Sequence, residues 1–190
     1  MGRLEIITIT GDLGSGKSTV STILCKRLKY AYIYTGNIQR DIANRYNMTT
    51  FELNKYAETH PEIDDEIDAT FKSLNTSSHL IVDSRLAWFF IPESFKVFLK
   101  TDLIVSAHRI SDDKRRENEK YLSLEDAADK IAARKESENK RYMELYEVNC
   151  ADLSNFNLVI DTSFISPENV ADMILEEYST WMKPEFYPCL

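Results

Sequence analysis

Glycine and proline are scarce in this 190-residue sequence, five of each, and no Pro/Gly/Ser-rich tract, internal repeat or low-complexity segment interrupts it. A string of domains on flexible linkers is therefore excluded, and one domain spanning residues 1–190 is expected. Cysteine is scarcer still: Cys25, Cys150 and Cys189 are odd in number and form no C-x-x-C pair. A disulfide framework is not expected, and a reducing, cytoplasmic setting is. The three histidines, His60, His79 and His108, show no metal-ligand spacing. Positive charge is in deficit, with 23 Lys and Arg against 31 Asp and Glu for a net charge of -8. Such a surface repels phosphate backbones, which argues against a nucleic-acid polymer as partner. No apolar run approaches the roughly 18 residues of a membrane span. Neither end carries a lipidation pattern, so no membrane partner is expected.

Three of the five glycines fall within one nonapeptide, Gly11 to Thr19 (GDLGSGKST). Before it runs the β-branched stretch Leu4 to Thr10, and after it Val20, Ile23, Leu24 and Leu28 recur at helical spacing from Lys17 to Lys29. Strand, glycine turn, helix is the reading. Further strands are expected at Tyr30 to Thr35, His79 to Asp83, Phe95 to Leu99 and Asn157 to Asp161. Helices are expected between them. Thr49-x-x-Glu52 is a capping box, Ser123 precedes a charged helix from about Leu124 to Tyr146, and Ser166-Pro167 opens the last helix. This alternation predicts an α/β fold: a five-stranded parallel sheet with helices on both faces. Two inserts interrupt it. Residues 37–78 read as three short helices, and residues 109–149 as a longer charged segment, which leaves a core of 1–36, 79–108 and 150–181.

The nonapeptide fits G-x-x-x-x-G-K-[ST] through Gly11, Gly16, Lys17 and Ser18, in the strand-to-helix setting that this pattern requires. Glycines let backbone N–H groups converge on phosphate oxygens, and the helix beginning near Lys17 adds its positive end, so Asp12, Leu13, Gly14 and Ser15 of the loop are expected in the ATP site. Lys17 reaches the β- and γ-phosphates, Ser18 ligates Mg2+, and Thr19, the residue after the motif, is expected in the ATP site as well. ATP with Mg2+ is the expected co-substrate.

Five stretches together resemble the nucleoside monophosphate kinases of the cytidylate kinase-like family, in its compact form. They are Gly11 to Thr19, Thr35 to Arg40 (TGNIQR), Pro61 to Asp68 (PEIDDEID), Arg134 to Tyr146 (RKESENKRYMELY) and Leu158 to Ser163 (LVIDTS). The resemblance implies an adenylate-kinase-like P-loop fold in which residues 37–78 bind the monophosphate and residues 109–149 form a lid. It implies that Gly36, Arg40 and Arg85 hold the acceptor's phosphate and that Asp83 approaches Mg2+. It implies further that Arg134 and Arg141 stabilise charge on the moving phosphoryl group, as catalytic residues. Arginine suits both tasks, because its planar fork binds phosphate through two hydrogen bonds. The other lid cations, Arg109, Arg115 and Arg116, can also supply charge, although Arg115 and Arg116 sit in a run that reads as a solvated face. Relatives usually place glycine after the acid; here the run is Asp83-Ser84-Arg85.

A phosphate acceptor needs alignment and neutralisation, but no general base. The expected reaction is in-line transfer from ATP to CMP or dCMP. A kinase for a sugar, a shikimate-like acid or another alcohol would instead need a carboxylate to deprotonate the accepting hydroxyl, a role that Asp83 could fill; a modified nucleotide is a further candidate acceptor, and a non-catalytic NTP-binding module is the remaining reading. Trp88, Phe89 and Phe90 read as core packing rather than a base-stacking face. Cys25 and Cys150 read as small buried hydrophobes.

Overall fold

The computed structural model describes residues 4–74, 79–113 and 121–183. Arg115, Arg116 and Cys189 lie outside the described residues. The elements run β1 (Ile6–Gly11), α1 (Lys17–Leu28), β2 (Ala31–Tyr34), α2 (Thr35–Arg45), α3 (Thr50–Tyr56), α4 (Glu62–Lys72), β3 (Leu80–Asp83), α5 (Ala87–Phe90), β4 (Phe95–Lys100), α6 (Leu103–Ser111), α7 (Leu124–Tyr146), β5 (Leu158–Asp161) and α8 (Pro167–Met182). The strands form one parallel sheet in the order β2-β3-β1-β4-β5.

β1 is buried along its whole length, as a central parallel strand covered on both faces must be. Its alternate residues face opposite ways. Ile7 and Ile9 join Ile81, Val97, Leu99 and Ile160 in the core packed beneath α1 and α8, where Val20, Leu24, Val170 and Ile174 close it. Ile6 joins Leu80 and Val82 in a second core closed by Phe71 of α4 and by Ala87 and Ile91 at α5. The sheet therefore has helices on both faces. Trp88 packs on Phe156, and Phe90 on Phe71 and Tyr146, as core residues do, but Phe89 between them is exposed, its ring only edging onto its neighbours. Cys25 packs against the first core, and burial pushes the Cys150 thiol up to about 11.

The helix-start signals act as their chemistry dictates. Thr49 and Glu52 make both bonds of a capping box, Ser123 accepts from the Asp126 N–H, and Ser166 accepts from the Asn169 N–H with Pro167 in the first turn. Two boundaries differ from expectation. β2 ends at Tyr34, because Thr35 already opens α2 and its hydroxyl donates to the Asp83 carbonyl at 3.4 Å. α6 runs unbroken across residue 109, so Arg109 stands on the same helix as the buried residues Ser106 and Ala107 that precede it.

α7 is the crossbar of the molecule. Its first half buries Ala127, Ala128 and Ile131 against Leu13 and against Ala107 and Ile110 of α6. Its second half buries Glu138, Arg141 and Tyr142 instead. A charged sequence run thereby becomes a set of internal struts.

Candidate active site

The parallel register brings Gly11 opposite Leu99, and Asp83 opposite Ile9 and Tyr34, so these residues share the carboxyl edge of the sheet. Ligands of open α/β sheets bind at this edge. Gly11 has φ +142, and a Cβ there would lie 2.0 Å from the Leu99 carbonyl oxygen. Only glycine lets β1 turn so close to β4. Gly16, at φ +85, caps α1 in the left-handed region.

The loop between these glycines is held from several sides. The Asp12 N–H donates to the Leu99 carbonyl at 2.9 Å, and its carboxylate accepts from the Thr101 N–H at 3.1 Å and from Lys135 of α7 at 2.7 Å. Ser15 donates to the Asp12 carbonyl at 2.8 Å. Arg109 donates to the carbonyls of Gly14, Thr162 and Ser163 at 3.2, 2.8 and 3.1 Å, tying the loop to the β5–α8 connection. Lys17 folds back, its Nζ donating to the carbonyls of Gly11 and Asp12 at 3.0 and 2.7 Å.

A cleft of about 390 Å³ opens over this loop. Gly14 to Thr19 form its floor, with Arg109, Ile165 and Pro167 toward α6 and α8. The opposite wall is Tyr34, Gly36, Gln39, Arg40 and Thr50 from the first insert, closed by Asp83, Arg85 and Arg134. Arg40, Arg85 and Arg134 thus face the phosphate loop from this wall, while a fourth guanidinium, Arg109, stands on the loop's own side.

Each guanidinium is held by internal partners. Arg40 donates from Nη2 to Asn37 at 2.6 Å and from Nη1 to the Tyr34 hydroxyl at 3.3 Å. Arg85 donates to the Gly11 carbonyl and pairs through Nε with Glu138 at 2.9 Å. Its own carbonyl accepts from the Trp88 indole at 3.0 Å and from Thr10 at 3.2 Å. Arg134 pairs through Nε with the other Glu138 oxygen at 2.8 Å. Glu138 is 3% exposed. Burial alone would push its carboxyl up, but Arg85, Arg134 and Arg141 outweigh it and hold the group at about 2.

Asp83 is 2% exposed, and burial pushes its carboxyl up to about 6 against the opposing pull of Lys17, the Tyr32 hydrogen bond, Arg85 and Arg40. Tyr32 donates to it at 3.2 Å. Ser18 and Asp83 line the same cleft. A hydroxyl and a carboxylate are oxygen donors of the kind Mg2+ takes, so the residues fit that ion. Among the described residues no cluster of three His, Cys, Asp or Glu could hold a metal. Phosphate oxygens and water must complete such a coordination shell.

Of the residues expected at the site, the structure brings together the phosphate-loop residues, Gly36, Arg40, Asp83, Arg85 and Arg134. It does not bring Arg141 into the cleft. That guanidinium is 5% exposed, donates to the Asn54 carbonyl at 2.8 Å and to its side-chain oxygen at 3.1 Å, and pairs with Asp64 at 3.0 Å. Seven positions after Arg134, it shares a helix face but sits two turns further along. There it meets the inside of the first insert. Glu138 and Tyr34 are site residues that sequence reading missed. The spacing Arg134-x-x-x-Glu138 is an i,i+4 pair and was the available signal for Glu138. Tyr34 gave none.

Comparison with known proteins agrees with this geometry. Residues 6–164 match the model of the cytidylate kinase-like family. A cytidylate kinase of Thermoplasma volcanium is 37% identical over 186 residues, covering 95% of each chain. One of Sulfolobus acidocaldarius is 38% identical over 172 residues, covering 89% of this chain and 91% of the relative. Among solved structures, a shikimate kinase from Acinetobacter baumannii superposes with a TM-score of 0.62 at 16% identity, covering 95% of this chain and 96% of that one. A gluconokinase from Sinorhizobium meliloti gives 0.58 at 13%, covering 96% and 95%. These two share the kinase fold. The phosphate loop, the helical insert and the whole-length likeness to the archaeal enzymes lead to one statement: the chain belongs to the cytidylate kinase-like family, phosphotransferases of the nucleoside monophosphate kinase class.

Proposed function

We propose that the protein transfers the γ-phosphoryl group of Mg-ATP to a pyrimidine nucleoside monophosphate, CMP or dCMP by preference, in the cytoplasm. The observation that carries this reading is the convergence of Arg40, Arg85 and Arg134 on the wall facing the phosphate loop. Three fixed guanidiniums suit an acceptor that is itself an anionic phosphate. The names of the relatives supply the base, cytosine.

The roles follow from position. The N–H groups of Gly14 to Lys17 at the start of α1 cradle the donor's phosphates, and Lys17 leaves the carbonyls of Gly11 and Asp12 to meet them. Arg40 and Arg85 hold the acceptor's phosphate in line with the bond that breaks. Arg134 faces the developing charge between the two, where a loose transition state spreads it over the moving group. Mg2+ bound near Ser18 and Asp83 would supply further neutralisation of phosphate charge. No residue has to remove a proton, because the nucleophile is already an anion. Arg141 acts behind the site, holding the insert against α7.

The alternative with a specific observation behind it is an alcohol kinase, since Asp83 is a buried carboxylate with a raised pKa at the cleft. Its hydrogen bond from Tyr32 and its proximity to Lys17 suit the Mg2+ side better. The test is ADP production from Mg-ATP with CMP, dCMP, UMP, dTMP, AMP, GMP and shikimate offered separately, with Lys17→Ala as the blank. Turnover on CMP or dCMP well above the rest supports the reading. Turnover on shikimate with silence on every monophosphate overturns it.

A further inference from the structure

Arg40 sits at the end of a long flexible side chain, yet both of its terminal nitrogens are anchored by residues from the same stretch of chain. Nη2 donates to Asn37, three positions back on α2, at 2.6 Å, and Nη1 donates to the Tyr34 hydroxyl, the last residue of β2, at 3.3 Å. A guanidinium has five N–H donors, and these two bonds leave three for an anion. With two points fixed, the plane of the fork is fixed as well.

Tyr34 can do this because of what surrounds it. Its ring lies over Gly36, where a Cβ would come 2.5 Å from the ring's Cζ and from the hydroxyl. The glycine of the Gly-x-x-x-Arg spacing is thus the gap through which the β2 tyrosine reaches the first turn of α2. On the strand, the Tyr32 ring runs nearly parallel to it, 6° between planes and 6.1 Å between centroids, and Tyr32 is held in turn by its bond to Asp83. The Arg40 guanidinium lies 5.1 Å from the Tyr34 ring centre, within cation–π range. Ring, hydroxyl and amide oxygen together leave Arg40 little freedom to lose on binding.

We propose that Tyr34 is a positioning residue for the acceptor: it pre-orients the Arg40 fork toward the acceptor's phosphate. This rests on the proposed function, with CMP as the acceptor and Arg40 as its ligand.

The experiment is a set of steady-state titrations of CMP and of ATP on Tyr34→Phe, Asn37→Ala, Arg40→Ala and the double variant Tyr34→Phe/Arg40→Ala. Tyr34→Phe keeps the ring over Gly36 and beside Tyr32 and removes only the hydroxyl. Loss of one hydrogen bond raises the CMP KM by roughly three- to tenfold, with kcat within about twofold and the ATP KM unchanged. In the Arg40→Ala background the same change adds nothing, because its effect runs through the arginine. Asn37→Ala, which leaves the aromatic pair untouched, gives the same pattern and covers the case in which Tyr34→Phe folds poorly. A CMP KM that stays at the wild-type value in folded Tyr34→Phe overturns the inference, whatever Asn37→Ala does. So does an equal rise with and without Arg40, the mark of a general structural role. Wild-type protein silent on every monophosphate overturns the proposed function itself, and is told apart by that control.

Discussion

Glu138 of α7 lies 2.9 Å from Arg85 and 2.8 Å from Arg134, one carboxylate oxygen to each Nε, and so joins two cleft arginines from beneath. The Nε edges are occupied by Glu138, while Arg85 Nη1 donates to the Gly11 carbonyl and the outer nitrogens of Arg134 reach Thr50 and Gln39 of the cleft wall, each at 3.4 Å. Breaking a buried charged pair by removing one partner leaves the rest uncompensated, at a cost of about 3–5 kcal/mol. Glu138→Ala is expected to lose that much stability by urea unfolding. Glu138→Gln, which keeps one acceptor oxygen, is expected to fold and to raise the acceptor KM about tenfold or more while sparing the ATP KM. Unchanged acceptor kinetics in Glu138→Gln would show that the two arginines need no such tie.

Two buried acids give the stability curve opposite slopes in neighbouring pH windows. Glu138 is depressed from 4.5 to about 2, so its contribution is fully present above the unfolded value and is lost as pH falls toward 2. Asp64 is raised from 3.8 to about 6, by burial first, with Arg141 opposing and Asp68, Glu138 and Asp65 adding to the rise. Its contribution is present below about 4 and is lost as pH rises through 6. The wild-type stability measured relative to Asp64→Asn should therefore decline between pH 4 and 7. Unfolding midpoints across that range check it, and a flat difference would contradict the burial of Asp64.

Much of the fold was legible because its signals are local. The β-branched runs, the helix caps and the glycine turn each depend on a few neighbouring residues, and the sheet followed from their alternation. Most of the cleft was legible for the same reason, since the phosphate loop and Gly36-x-x-x-Arg40 are contiguous patterns. The parts that escaped depend on contacts distant in sequence. Arg141 looks equivalent to Arg134 along the helix, and only the packing of α3 and α4 against α7 shows that it meets Asn54 and Asp64 instead of the cleft. Glu138 sits in a run of charges that composition reads as solvated. Its burial comes from Arg85, 53 positions earlier in the chain.

Arg134 and Arg141 should accordingly part company under mutation. Arg134→Ala is expected to lower kcat by at least tenfold, with a smaller effect on stability. Arg141→Ala strands Asp64 and the Asn54 oxygens in the interior and should cost about 3–5 kcal/mol of stability. Arg141→Lys keeps a charge but loses the fork that reaches Asn54 and Asp64 together, so it should recover only part. Parallel unfolding and turnover measurements on the three variants decide the matter. A destabilised Arg134→Ala beside a stable, inactive Arg141→Ala would reverse the assignment.

The two ends of the phosphate loop predict different kinds of damage from the same substitution. At Gly16 a Cβ meets nothing within 4 Å, so Gly16→Ala carries only the strain of a left-handed backbone, roughly 1–2 kcal/mol. At Gly11 the Cβ would sit 2.0 Å from the Leu99 carbonyl oxygen and 2.7 Å from that residue's N and C atoms. These are backbone atoms of a central strand, fixed by the β1–β4 ladder, and cannot swing aside as a side chain could. Gly11→Ala must therefore separate two paired strands at the point where Asp12 also bonds to Leu99. The loss should exceed that of Gly16→Ala by about 2 kcal/mol or more, on the scale of overpacked cores. Urea midpoints of the two variants measure the difference. Equal losses would mean that the loop, and not the strand beneath it, absorbs the added carbon.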